Sequence, residues 1–122
     1  MPIVDVELVV TPGPAAAGDP ARALADALGR IFKTSPGRTW VKLRELPAEA
    51  YAENESAPAP GELPVFVTVL HARPPEGPAR DAEVLAVTHA VAAWCGRSPQ
   101  LVHVQYAPPA AGRQAFGGIL VR

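Results

Sequence analysis

Between residues 3 and 10 side chains alternate, with Val4, Val6, Leu8 and Val10 on one face and Ile3, Asp5, Glu7 and Val9 on the other. A period of two carried by β-branched residues predicts a strand. Beyond a loop rich in proline and glycine the period lengthens to that of a helix. Asp19 followed by Pro20 supplies an N-cap and a proline for the first helical position, and Leu24, Leu28 and Ile31 share one helical face. Pro36 disfavours helical geometry at Ser35, so this helix is expected to stop near Thr34. Residues 39–46, TWVKLREL, return to alternation and predict a second strand.

The second half of the chain repeats this order. PVFVTVLH at 64–71 matches PIVDVELV at 2–9, with Pro64 standing where Pro2 stands. Asp81 is expected to open a helix in which Val84, Val87, Val91 and Trp94 form a stripe that Leu85, Ala92 and Cys95 widen. Gly96 is a C-terminal stop for that helix, Ser98-Pro99 answers Ser35-Pro36, and LVHVQY at 101–106 answers the strand at 39–46. The strand-opening prolines are 62 residues apart and the Ser-Pro pairs 63 apart, the mark of a duplicated unit. A strand, crossover helix and strand of this length pair in parallel with right-handed crossover. The expected fold is therefore α+β, with two tandem β-α-β units forming a four-stranded sheet and two helices on one face. The expected organisation is one domain over 1–122, with a first unit at 2–56, a linker at 57–63 and a second unit at 64–122. The second sheet face carries apolar residues, and the simplest cover for it is another copy of the chain.

Composition narrows the function. With 11 basic against 12 acidic residues, the charge balance gives no support to a nucleic-acid or polybasic membrane partner. No run approaches the roughly 18 apolar residues of a membrane helix, and the start lacks a charged segment followed by an apolar one, so a cytoplasmic location is expected. The single Cys95 cannot form an internal disulfide and, inside an apolar helical run, reads as a buried structural thiol. His71, His89 and His103 show no ligand spacing, so neither a metal site nor a cofactor is expected. Neither TPGP at 11–14 nor GRQAFGG at 112–118 has the makeup of a phosphate loop. Trp40 and Trp94 read as core or interface residues.

Pro2 admits two readings. Proline lacks a backbone N–H and suits the first position of a strand, a use that Pro64 illustrates inside the chain. Removal of Met1 would instead leave Pro2 with a free secondary amine, a base that no side chain supplies.

A duplicated β-α-β chain that starts Met-Pro, with Ser-Pro before each second strand, resembles the tautomerase superfamily over essentially its whole length. That group includes 4-oxalocrotonate tautomerase, macrophage migration inhibitory factor, malonate semialdehyde decarboxylase and the chloroacrylate dehalogenases. The resemblance implies a homotrimer whose amino-terminal proline, here Pro2, is the catalytic group, acting on a small carboxylate. The closing segment SPQLVHVQYAPPAAGRQAFGG at 98–118 resembles the family's ending, which implies pocket roles for His103, Gln105 and an aromatic wall at Phe116. YAENE at 51–55 resembles the aromatic-x-Glu segment of the trans-chloroacrylate dehalogenase, implying that Glu53 activates water beside Tyr51. HARPP at 71–75 resembles the stretch whose arginines bind substrate carboxylate, a role that falls to Arg73; those relatives carry two arginines where this chain has Pro74 and Pro75. Lys33, just before the Ser-Pro pair, and Lys42 are candidates for a second cation.

Three activities follow as expectations. One is a cofactor-independent tautomerase or isomerase of a small unsaturated 2-oxo acid or enol, with Pro2 as general base. Another is a hydratase, dehalogenase or decarboxylase type of lyase that uses water activated by Glu53, in which Pro2 acts as an acid. The third is a non-catalytic trimer in which Met1 is retained and the Pro2 nitrogen is an amide.

Overall fold

The computed structural model describes residues 1–13 and 18–122. Part of the expected loop at 12–20, and the last residue of TPGP, lie outside the described residues. β1 (Pro2–Val10) is followed by α1 (Pro20–Phe32), β2 (Trp40–Pro47), β3 (Val65–His71), α2 (Pro78–Cys95) and β4 (Val102–Tyr106), and then by two short strands, β5 (Ala115–Phe116) and β6 (Ile119–Leu120). The main sheet has the order β2-β1-β3-β4. β1 and β2 pair in parallel, as do β3 and β4, while the two units meet antiparallel through β1 and β3. This is the four-stranded sheet with two helices that the duplicated pattern predicts.

Each helix starts and stops for identifiable reasons. Asp19 caps α1 by accepting from the Arg22 backbone N–H at 3.1 Å, and Pro20 occupies a position that needs no donor. α1 ends at Phe32, two residues before Thr34, because Lys33 turns into the left-handed region (φ 56°) and the Thr34 N–H returns to the Gly29 carbonyl at 3.1 Å. α2 begins at Pro78 rather than Asp81. Gly77 at φ +57° makes the turn into it, and Asp81 falls in the first turn, where a negative charge favours the helix dipole. Gly96 closes α2 in the left-handed conformation, as the sequence predicts.

One core lies between the helices and one sheet face. Val4, Val6, Val65, Val67 and Val69 from the two central strands meet Leu24 and Leu28 of α1 and Val87 and Val91 of α2, all buried. Two expectations about packing need correction. Leu85 does not widen the stripe of α2: it is 59% exposed, turned away from the side that Val87 and Val91 bury. Cys95 is half-buried rather than buried, at the last position of α2, where one side is left uncovered. The alternation of β1 also breaks at its end. Val9 is fully buried although it belongs to the face opposite Val4, and its N–H bonds the Pro64 carbonyl at 3.2 Å, where the buried Leu63 and Pro64 lead into β3.

Leu28 contacts the core with no exposed surface, so Leu28→Ala is expected to cost about 2–5 kcal/mol of unfolding free energy, read from the shift in a urea or guanidinium midpoint. An unmoved midpoint would contradict this packing.

Candidate active site

Strand directions decide which residues meet at the start of β1. Because β2 runs parallel to β1 with Ile3 opposite Trp40, the start of β2 lies beside the start of β1. Because β3 runs antiparallel with Pro2 opposite His71, the end of β3 lies there too. A cavity of about 250 Å³ opens at this corner, lined by Met1, Arg38, Trp40, Phe116 and Val121. Sequence reasoning missed Arg38, although parallel pairing alone brings the residue just ahead of β2 toward the start of β1.

The aromatic wall is held from two sides. The Trp40 indole N–H donates to the Gly37 carbonyl at 2.8 Å, and its ring meets Phe116 edge-on with centroids 4.9 Å apart. Phe116 sits in the β5–β6 hairpin, whose two-residue turn is Gly117-Gly118, with both φ values positive (56° and 88°), as a tight hairpin turn needs. The sequence predicts the aromatic but not the hairpin, because two-residue strands are too short to show a period. The segment after β6 is anchored by the Val121 N–H donating to the Gln114 carbonyl at 2.8 Å and by the Gly112 N–H donating to Val121. Arg73, exposed beyond the end of β3, donates through Nη1 to the Arg122 carbonyl at 2.8 Å, one residue beyond the Val121 wall.

On the helix side of this corner lies a polar group that the sequence did not reveal. Pro2 is fully buried there. His71 Nε2 lies 3.0 Å from Glu83 Oε2, which also accepts the Tyr106 hydroxyl at 2.5 Å. The imidazole meets Phe32 edge-on at 5.1 Å and stacks against Tyr106 at 6.0 Å, while the Arg80 guanidinium stands over the Tyr106 ring at 5.5 Å and donates to the Pro75 carbonyl. Desolvation pushes the Tyr106 hydroxyl well above its ordinary value, and its hydrogen bond to the Glu83 carboxylate adds to this. Tyr106 therefore stays a neutral donor.

The remaining sequence-predicted residues stand elsewhere in the single chain. Lys33 is exposed and lines a separate open hollow with Thr34, Ser35, Pro36 and Gly37. Tyr51 and Glu53 lie past the far end of β2, where the Tyr51 hydroxyl donates to Glu53 at 2.6 Å; that bond to a carboxylate raises the Tyr51 pKa. Tyr51, Phe66 and His103 form a row of rings on the helix-free face, with centroids 5.9 and 5.5 Å apart. Gln105 lies farther along that face and donates to Thr68 Oγ1 at 2.9 Å. Phe66 is five strand positions from His71, roughly 17 Å at the rise of a β-strand, so one chain does not bring Glu53 or His103 to its own Pro2. Lys42 is engaged with Asp5 at 3.2 Å, and Arg44 stands 3.9 Å from the same oxygen. Among the described residues no three His, Cys, Asp or Glu side chains gather as a metal-binding group, and no helix is long and apolar enough to cross a membrane.

No family model matches the chain, and no curated protein matches it either. Solved structures do. A fused 4-OT, a wild-type symmetric trimer, superposes with a TM-score of 0.76 at 20% identity, covering 98% of this chain and 94% of that one. A macrophage migration inhibitory factor homologue from Prochlorococcus marinus gives 0.71 at 14% identity, with 98% and 99% covered. Malonate semialdehyde decarboxylase gives 0.67 at 17% identity, with 94% and 90% covered. From end to end, the chain has the fold of these three proteins, which is the fold that its resemblance to the tautomerase superfamily implies.

Proposed function

We propose that this chain is a member of the tautomerase superfamily and that, once Met1 is removed, it acts as a cofactor-independent tautomerase of a small unsaturated 2-oxo acid or enol. The observation that carries this reading is the placing of the start of β1 at a cavity with one guanidinium, Arg38, and an aromatic wall of Trp40 and Phe116. Removal of Met1 turns the Pro2 nitrogen into a secondary amine at the edge of that cavity and vacates the space that Met1 occupies. Burial of the ring and nearby positive charge both disfavour the ammonium form, leaving the nitrogen a lone pair with which to act as a base. Arg38 takes the substrate carboxylate, with its fork of N–H donors matched to two oxygens, and Arg73 adds positive charge one residue beyond the cavity wall. The Pro2 nitrogen then removes a proton from the enol hydroxyl or from the carbon next to the oxo group. The enolate electrons shift, and the prolinium returns the proton to the other end of the system. The substrate is isomerised, and nothing is consumed.

A trimeric assembly would support a second reading. The fused 4-OT is a trimer, and the helix-free face of this chain exposes Trp40 and Phe66 while the β5–β6 hairpin exposes Ile119 and Leu120. In a homotrimer a neighbouring copy would cover these residues and carry its own Tyr51, Glu53, His103 and Gln105 to the Pro2 cavity. The 2.6 Å bond from Tyr51 to Glu53 favours a lyase of the hydratase type, because it holds the carboxylate beside an aromatic, ready to take a proton from water. Pro2 would then act as the acid. Retention of Met1 would leave only the non-catalytic trimer.

Intact mass of the purified protein is expected to be one methionine short, and retention of that methionine would end both catalytic readings. Pro2→Ala is expected to lower kcat/KM for ketonisation of phenylpyruvate enol by about 100-fold or more, and an undiminished rate would reject Pro2 as the base. Glu53→Gln separates the two activities, since tautomerisation survives and water addition is lost if the lyase reading holds. Light scattering should return about three times the 12.7 kDa chain mass, and a monomer would leave the cavity without the neighbouring residues.

A further inference from the structure

The half-buried polar group of His71, Glu83 and Tyr106 has no part in the proton transfer just described, yet His71 is the residue paired with Pro2 across the sheet. Pro2 and His71 are directly paired across β1 and β3, with their side chains on the same sheet face and a Cα spacing of roughly 5 Å. The Pro2 ring is fully buried and the imidazole is 12% exposed, so little water separates the two. His71 is fixed rather than mobile, with Phe32 of α1 edge-on to its ring, Tyr106 of β4 stacked on it and Glu83 of α2 on Nε2. The Glu83 carboxylate, 15% exposed, is fixed in turn by the Tyr106 hydroxyl. The titratable and charged groups facing His71 are thus Glu83 and, one ring further, Arg80 from α2, with Tyr106 from β4; Phe32 of α1 carries no charge.

We infer that His71, held by Glu83 and Tyr106, is a positioning residue that sets the pH at which the Pro2 nitrogen gains and loses its proton. The inference rests on Pro2 being a free amine, as proposed above. A carboxylate at Glu83 favours the prolinium, and a proton on His71 cancels that charge, so protons on His71 and Pro2 disfavour one another. The half-buried setting weakens screening by water and salt, which lets a charge one side chain away act on the nitrogen. The sign for each variant follows. His71→Phe leaves the Glu83 carboxylate unbalanced and holds Pro2 at the high end of its range. Glu83→Gln removes the negative charge and lowers the Pro2 pKa.

The test is a titration of the amino-terminal nitrogen itself, by NMR of protein labelled with 15N-proline and lacking Met1, in wild type, His71→Phe and Glu83→Gln. Pro2 is expected to titrate measurably higher in His71→Phe than in wild type, and at least about 0.5 pH higher in His71→Phe than in Glu83→Gln. The acidic limb of kcat/KM is expected to separate in the same order, which is about threefold in rate at a pH below both values. Thermal unfolding of each variant establishes that the fold is intact, and His71→Gln, which is also uncharged, replaces His71→Phe if that variant does not fold. A separation smaller than about 0.5 pH between the variants, or a wild type indistinguishable from His71→Phe, would overturn the inference and leave the proline mechanism standing. A retained Met1, which gives no titrating amine, or an active Pro2→Ala overturns the mechanism and this inference with it.

Discussion

The antiparallel pairing of β1 with β3 is the interaction on which the rest of this molecule depends. It joins two parallel β-α-β units, each of which would otherwise leave one edge of its first strand unpaired. It also sets the valines of both central strands on one face, where Val4, Val6, Val65, Val67 and Val69 form the floor under α1 and α2. The same pairing brings the end of β3 to the start of β1, while the parallel partner β2 starts at that point. One corner of the sheet therefore gathers Pro2, Arg38, Trp40 and His71 from three strand ends. Slipping the pairing by one residue would turn the valines outward and separate Pro2 from His71 in the same step.

The two sheet faces have different chemistry. The helix side is filled with valine and leucine until it reaches the Pro2 corner, where His71, Glu83 and Tyr106 replace them and satisfy one another. The helix-free face mixes rings with charge, and at its centre Asp5 stands between Lys42 and Arg44. One Asp5 oxygen is buried without a well-directed hydrogen bond, so its compensation is ionic. A face of this kind suits contact with another protein surface of alternating character better than it suits a dry core.

Much of this arrangement was legible in the chain. The period of two in β1 and β3, the capped start of α1, the Gly96 stop and the spacing of the repeats led to the sheet and its helices, because each is a local signal with one physical cause. Phe116 was readable as part of the pocket only through resemblance. Arg38, His71, Glu83 and Tyr106 escaped for a different reason. They are 33, 12 and 23 residues apart in order along the chain, and only the strand register together with the packing of α2 on the sheet brings them to one end of the sheet. Leu85 misled because a helical stripe read from sequence has no sharp edge, whereas the sheet beneath it does. Tyr51 and Glu53, singled out through resemblance, share a hydrogen bond, but their distance from Pro2 depends on where β2 ends, which no motif encodes.

The tether between Arg73 and the Arg122 carbonyl has a practical consequence. It draws the last residue of the sequence back to the corner where the first residue sits, and Met1 and Val121 line the same cavity. Any affinity tag, linker or fusion partner attached to either end is thus delivered to the mouth of the cavity. An extension ahead of Met1 would add bulk where Met1 already lines the cavity, and one after Arg122 would crowd the Val121 wall and compete for the Arg73 guanidinium. Such additions leave the core under the two helices untouched and close this one cavity.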